Sequence, residues 1–386
     1  MKHASVVIIG GGIMGASAAY HLAARGWKDV LVLDRAPRPG LGSTGRATGG
    51  FRAQFSTAVN VKLSLLAREK LMRFGDEIGV DAGYMQAGYL WLAGSERERG
   101  LLRDALAVQH AAGATETYEA SLDEVATINP AANLEGIVAG FFGPRDGFIS
   151  PLAILTGYTA AAERIGVRFE WNAEVVKIEH KDERITHVAT KHHRFATDSV
   201  VDAAGPWAGD IAKLAGANLP VTPLRRQVGA TVPQTVLPPK MPMTIWVRDQ
   251  FHLRVRDGRA LLLYPTPGIP GHPYDATLDT YWLDEVGAIA RERLPVLQAV
   301  EIDPEASWGG LYEMTPDRHS VLGAAPERGN LFYIAGSSGH GVMHSTALGQ
   351  LLAEIMSDGH ATSVDVSALS PARFAAGVTA QAADVL

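Results

Sequence analysis

The chain opens on an unbroken apolar run over residues 6–9, with no polar alternation. That pattern fits a strand buried on both faces of a parallel sheet. Residues 16–25 have helical composition, with Gly26 as a stop, and Val30–Leu33 predicts a second strand. Apolar spacing then predicts a helix over 57–79, a strand over 88–93 and a charged surface helix over 96–112. Residues 151–166 read as a helix with Ser150 as N-cap. Residues 167–189 alternate and read as paired strands turned at Asp182 and Glu183. A strand over 199–202 runs into a small-residue turn and a helix started by Pro206. Residues 220–273, rich in β-branched residues, Pro and Gly, predict antiparallel strands over a cavity. A helix over 284–294, a strand over 301–313, a buried strand Leu331–Ala335 and a helix ending near Met356 complete the pattern. No internal repeat is visible.

At 386 residues the chain exceeds one ordinary core, so one composite domain or two domains are expected. A net charge of −6 argues against a nucleic-acid footprint, which needs a basic face. Cysteine is absent, which excludes disulfides, thiolate metal sites, a cysteine nucleophile and any cofactor bonded to cysteine. The opening apolar run is too short for a secretory signal, and no segment is long enough to span a bilayer. The expected address is the cytoplasm. The 41 glycines gather toward both ends of the chain, which points to tight turns around a ligand.

The first gathering is Gly10-Gly11-Gly12-Ile13-Met14-Gly15, a G-x-G-x-x-G motif in strand–turn–helix–strand context, with Asp34 closing the second strand. Gly10 permits the tight turn, Gly12 lets a pyrophosphate approach the backbone, and Gly15 lets helix and strand pack closely. The helix N-terminus offers free N–H groups to phosphate, and Asp34 can accept from ribose hydroxyls. The motif alone does not separate FAD from NAD. Three later stretches do. The loop 42–52 carries Ser43, Thr44, Arg46, Gly49 and Gly50, whose small size suits a bulky planar ligand and whose hydroxyls can meet phosphate. Residues 203–208 form the turn Ala203-Ala204-Gly205-Pro206-Trp207-Ala208. Far along the chain, Gly336-Ser337-Ser338-Gly339-His340-Gly341-Val342-Met343 forms a second strand-to-helix junction. A nicotinamide has no need of that junction. A flavin does, because reduction places negative charge at its pyrimidine edge, where a helix N-terminus stabilises it.

The opening turn, the loop Gly42–Arg46, the turn 203–208, the segment 308–323 and the junction 336–343 together resemble the D-amino-acid oxidase superfamily. The likeness is to its sarcosine oxidase and glycine oxidase branch, which also holds the β subunits of proline and opine dehydrogenases and D-arginine dehydrogenase. The resemblance implies an α/β (α+β overall) fold, with a Rossmann-like FAD-binding domain interleaved with an antiparallel β-rich substrate domain. Expected boundaries are 1–80, 144–219 and 315–386 for the FAD domain, and 81–143 and 220–314 for the substrate domain. Motif and resemblance together assign FAD contacts to Gly10, Gly12, Ile13, Met14, Gly15, Asp34, Arg35, Ser43, Thr44, Arg46, Gly49 and Gly50. They also assign Val175, Ala204, Gly205, Trp207, Gly310, Gly336, Ser338, Gly339, His340, Gly341, Val342 and Met343. Without cysteine, and with no histidine between His21 and His110, the FAD is expected to be noncovalent.

The implied reaction removes a hydride from the carbon beside nitrogen in a small amino or imino acid. It needs a cation for the substrate carboxylate and a neutral amine. Arg52, just after the loop, is the first carboxylate candidate; a surface or phosphate-contacting arginine is the competing reading. Arg225 and Arg226 sit in tandem, and strand alternation lets only one face a cavity; Arg225 is taken as the site residue, with a solvated edge as the rival reading. His252 stands where several relatives place an active-site tyrosine, and can exchange a proton or serve structure. Tyr312 replaces an arginine of the glycine oxidase-like members, and Met343 replaces a lysine of the sarcosine oxidases. Both depart from those labels. Glu313, Asp317 and His319 match no standard metal spacing, so no metal is expected. Two alternatives remain: oxidation of a 2-hydroxy acid, and a flavin-carrying subunit of a larger assembly. Oxygen and a protein carrier are both open as electron acceptor.

Overall fold

The computed structural model describes residues 2–266, 268–269 and 271–375. Residues 376–386, assigned above to the FAD portion, lie outside them. A first sheet runs in the order Val321–Ala324, Leu331–Ala335, Arg194–Asp202, Lys2–Ile9, Val30–Leu33, Arg168–Glu170. Its inner strands are parallel, with Ile9 level with Leu33 on one side and Asp202 on the other. The hairpin Val175–Lys181 and Arg184–Thr190 attaches antiparallel to Arg194–Asp202 and turns at Asp182, whose φ is 52°.

The continuous apolar run of the first strand is explained by its two neighbours in depth. Val6 and Ile8 face one core, while Ala4, Val7 and Ile9 face another. Burying each such side chain contributes on the order of 1.5–3 kcal/mol. The helix Ile13–Ala24 is buried nearly all round, between Pro151–Arg164 and Gly341–Asp358. Tyr158 wedges there, its ring 5.0 Å from Phe74 at 89° and 5.4 Å from Tyr20.

The second sheet runs in the order Ile302–Met314, Thr222–Thr231, Arg259–Leu263, His252–Arg256, Met243–Trp246, Tyr89–Ala93, Ala139–Gly143, Tyr118–Ala120. It is antiparallel, as expected, apart from one pair, Met243–Trp246 beside Tyr89–Ala93, which is parallel. The helix Thr280–Arg293 covers one face through Trp282, Leu283 and Val286. The other face looks toward the first sheet's glycine turns.

Several ends differ from the sequence pattern. The helix expected over 57–79 breaks at Arg73 into Ala58–Met72 and Phe74–Ile78. The helix expected from 284 begins at Thr280, because the Asp279 carboxylate accepts the Tyr281 N–H at 3.0 Å. Ser150 occupies an N-cap position without a side-chain cap bond, and Pro151 starts the helix. Pro206 lies in a single 3₁₀ turn, Gly205–Trp207, before the helix Ala208–Leu214.

Candidate functional site

The first strand ends at the point where the sheet's connectivity reverses, the crevice in which open α/β sheets bind nucleotides. Gly10 turns there with φ 107°, and a Cβ on it would stand 2.4 Å from the Ala203 carbonyl oxygen. A Cβ on Gly15 would stand 1.9 Å from the Gly10 carbonyl oxygen. Both positions require glycine for packing alone. Gly12 and Gly42 do not: the nearest atom to a Cβ on Gly12 is Thr44 Oγ1 at 3.5 Å, and Gly42 has nothing within 4 Å. Their missing side chains open onto the cavity, as a cradle for a phosphate-bearing ligand requires. Asp34 accepts the Gly11 and Ala36 N–H groups, each at 2.7 Å, and both its oxygens retain lone pairs for a ribose. Thr44 Oγ1 accepts the Ile13 N–H at 3.1 Å, which leaves its own proton to donate. Ser43 instead donates to the Leu311 carbonyl at 2.8 Å, tying the loop to the second sheet. Arg35 lies 3.8 Å over the Trp207 ring, which stacks on Tyr274 at 5.6 Å and 10°.

The second glycine junction converges on the first. Gly339 has φ 96°, and a Cβ there would stand 2.5 Å from the Tyr312 ring. The helix Gly341–Asp358 starts with no side-chain cap. Its axis packs on Ile13–Ala24 so closely that a Cβ on Gly349 would be 2.1 Å from Ser17 Oγ. Ser17 Oγ donates to the Ser345 carbonyl at 2.8 Å. Both N-termini therefore open on one cavity of about 1240 Å³. That exceeds the 300–1,000 Å³ of ordinary ligand pockets and leaves room for a dinucleotide with a substrate beside it. Arg46, Gly49, Gly50, Val175, Ala204, Gly205, Gly310, Ser338, His340, Val342 and Met343 line it. Gly15 and Gly336 do not: they act through the fold, Gly336 turning at φ 70° against Thr315.

Glu313 was not among the expected contacts. It lines the cavity between the turns, 3.7 Å from a Cβ on Gly205 and 3.5 Å from one on Gly341. Its Oε1 accepts the Ser337 N–H at 3.1 Å, while its buried Oε2 has no partner among the described residues. Burial raises this carboxyl to about 6. An orphaned buried acceptor beside both turns fits the hydroxyl groups of a bound FAD, so the residues present fit that cofactor.

Beyond the turns the cavity continues over the open face of the second sheet. Trp91, Ile245, His252, Leu263 and Val228 are successive cross-strand partners in one row across five strands. His252 is the single polar member of the row. Its Nδ1 lies 2.8 Å from the Gln250 carbonyl, and burial, against that bond and with Arg52 and Arg226 adding to it, lowers its pKa to about 4. The imidazole is thus neutral near pH 7, with Nδ1–H donating, which leaves Nε2 as the acceptor.

Arg52 is 7 % exposed. It donates to the Gln54 carbonyl, lies 3.3 Å from His340 Nε2, and stacks 3.9 Å over Phe55. Burial lowers its pKa to about 10, so it stays charged. Of the tandem arginines the cavity face belongs to Arg226, which corrects the choice of Arg225. Arg226 pairs with Gly310 and Arg225 with Leu311, so the two point to opposite faces. Arg225 donates to the Thr277 carbonyl at 3.1 Å, away from the chamber. Arg226 donates to the Thr266 carbonyl at 2.8 Å, its guanidinium 5.5 Å from the Tyr312 ring. Tyr312 faces the chamber, and burial raises its phenol. Tyr89, Trp91 and Met243 also line it, unforeseen because only the sheet register brings them there.

The Asp317 carboxylate is taken up by an arginine. It forms a two-bond pair with Arg373, at 2.8 and 3.2 Å, and His319 Nε2 lies 3.1 Å from Thr57 Oγ1. Among the described residues no group of three His, Asp or Glu side chains could hold a metal. No helix among them is long and apolar enough to cross a membrane.

Comparison with known proteins adds three relatives and a family. The family DAO, described as FAD dependent oxidoreductase, matches residues 5–355. The chain is 28% identical over 418 residues to FAD-dependent oxidoreductase domain-containing protein 1 of Xenopus laevis, covering 97% of this chain and 83% of that protein. It is 27% identical over 400 residues to the mitochondrial dimethylglycine dehydrogenase of Rattus norvegicus, spanning 98% of this chain but 46% of that longer protein. The crystal structure of L-proline dehydrogenase from P. horikoshii superposes with a TM-score of 0.88 at 28% identity, covering 97% of this chain and 99% of the other.

Proposed function

We propose that this chain, which belongs to the DAO family of FAD-dependent oxidoreductases, removes a hydride from the carbon beside nitrogen in a small amino or imino acid. The product is an imine that water hydrolyses. The observation that carries this reading is a single cavity joining two helix N-termini, neither with a side-chain bond from its own N-cap residue, to a chamber with cationic, aromatic and neutral imidazole groups. FAD, bound without a covalent link, supplies the hydride acceptor. The names of two relatives, dimethylglycine dehydrogenase and L-proline dehydrogenase, support an amine as the electron donor.

The residues divide the work. Gly12, Gly42, Asp34 and Glu313 would hold the dinucleotide, and the start of Gly341–Asp358 would favour the negative charge that reduction places on it. Arg52 grips the substrate carboxylate, its plane fixed by Phe55. His252 Nε2 accepts a hydrogen from the substrate ammonium, which must lose a proton before its lone pair can drive hydride loss. Trp91, Met243 and Ile245 keep water from the reacting carbon. The division of the chain into a cofactor portion (1–80, 144–219, 315–386) and a substrate portion (81–143, 220–314) belongs to the same reading. The strands of the first sheet support it, all lying in the former stretches. A cytoplasmic address is supported by the lack of cysteine, and either oxygen or a carrier protein serves as acceptor.

The test is an anaerobic titration of the FAD-loaded chain with primary, N-methyl and cyclic amino acids and with the matched 2-hydroxy acids, scored by loss of flavin absorbance. Amines are expected to bleach the flavin. Bleaching by hydroxy acids alone would overturn the reading.

A further inference from the structure

Three buried arginines elsewhere in this chain pair with acids, while Arg225 and Arg254 are held by backbone carbonyls. Arg373 pairs with Asp317, Arg293 with Asp249 at 2.9 Å, and Arg68 with Glu116. The two arginines that face the chamber likewise have no acid beside them. Arg52 has the Gln54 carbonyl and His340 Nε2, and Arg226 has the Arg225 and Thr266 carbonyls. Among the described residues neither forms an ion pair. The nearby carboxyl of Asp146 is already occupied by the Ala53 N–H at 2.8 Å and Gln54 Nε2 at 3.0 Å, and burial raises it to about 6. A desolvated cation without a counter-ion is costly, and an anionic ligand removes that cost.

The two cations are rooted in different elements. Arg52 rests on Phe55 and Trp91, rooted in the segment after the short strand Gly50–Phe51. Arg226 is rooted in Thr222–Thr231, opposite Gly310, and leans on Tyr312. Tyr312 and His252 each feel both guanidinium charges, whereas neither guanidinium is among the charges felt by the other. Both side chains line the chamber together with the two cations.

We propose that the chamber takes a dicarboxylic amino or imino acid, one carboxylate held by Arg52 and the second by Arg226. This rests on the amino-acid reading above and names its substrate class. The oxidised nitrogen-bearing carbon then lies between the two anchored ends, over His252.

Non-reacting acids test this without turnover. Succinate and glutarate, and acetate and butyrate as single-carboxylate counterparts, are titrated into the FAD-loaded chain, and binding is read from the perturbed flavin spectrum. The dicarboxylates are expected to bind about tenfold tighter or better. Arg226→Gln should erase that advantage while Arg226→Lys keeps part of it, and Arg52→Gln should weaken both classes. Equal affinity of the two classes for the unaltered chain would overturn the proposal. So would an advantage that survives in Arg226→Gln, or weakened FAD binding in that variant with the advantage intact, which would assign Arg226 to the cofactor. Because no chemistry is needed, failure here is distinct from failure of amines to bleach the flavin.

Discussion

His252 shows how a neighbourhood sets the chemistry of one side chain. Alone in an apolar row, with two guanidiniums in reach, it is held neutral, its pKa lowered to about 4. Carboxylates bound at Arg52 and Arg226 neutralise part of that field, so the imidazole becomes a stronger base once the substrate is present. Activity depending on neutral His252 is present above about 4 and lost as pH falls through it. His252→Gln should lower kcat/KM by about 10²-fold, within the range of general base catalysis, and move the rising limb of the pH profile upward, since the amine must then arrive unprotonated. A superimposable profile would remove His252 from the chemistry. Arg52→Lys keeps the charge but loses the planar fork and the stacking on Phe55. It should raise KM about 10–100-fold, in line with loss of a bidentate pair, with FAD content unchanged. Arg52 was legible in the sequence because it follows the glycine loop directly. The choice between Arg225 and Arg226 was not. Alternation says that one faces in, but the phase is set by pairing with Gly310 and Leu311, which the sequence of one strand does not contain.

At the scale of elements, the contact between Ile13–Ala24 and Gly341–Asp358 fixes the separation of the two glycine turns. Gly349→Ala would drive a methyl to 2.1 Å from Ser17 Oγ and 2.8 Å from the Ser17 backbone carbon. Overpacking of this kind costs about 1–3 kcal/mol. The expected result is a lower denaturation midpoint with weaker FAD affinity, partly recovered by Ser17→Ala, as a double-mutant cycle would show. His21 on the first of these helices provides a pH signature. Burial, with Lys70 adding to it, lowers its pKa to about 3 from the ordinary 6.5. The unfolded chain then takes up the proton first. The stability contributed by neutral His21 is complete above pH 6.5 and is lost as pH falls toward 3. Between pH 6.5 and 5 the loss amounts to about 2 kcal/mol, at 1.4 kcal/mol per pH unit. His21→Gln should flatten that part of the curve, measured by denaturant midpoints at both pH values. The helices and the first two strands were readable because their apolar patterns and stop signals lie within each segment. The parallel pairing of Met243–Trp246 with Tyr89–Ala93 was not, since it joins segments far apart in sequence. The helix Leu122–Ile128 carried a readable signal, the reciprocal Ser121–Glu124 capping box.

At the scale of the molecule, one sheet supplies the nucleotide crevice and the other the floor of the chamber, and the chain passes between them repeatedly. The crevice was legible because glycine spacing reports backbone needs directly. Most of the chamber was not, because its row of Trp91, Ile245, His252, Leu263 and Val228 exists only once five strands are in register. Glu313 was set aside for a similar reason: nothing in its segment announces that it will sit between turns from opposite ends of the chain. The central claim is that both glycine turns close around one FAD. It is tested most directly by titrating FAD into the folded, flavin-free chain and reading the bound stoichiometry by fluorescence. Saturation is expected at one FAD per chain, with affinity reduced by Gly12→Val and by Glu313→Ala. A folded chain that takes up no FAD, or that binds it unaffected by both substitutions, would contradict it.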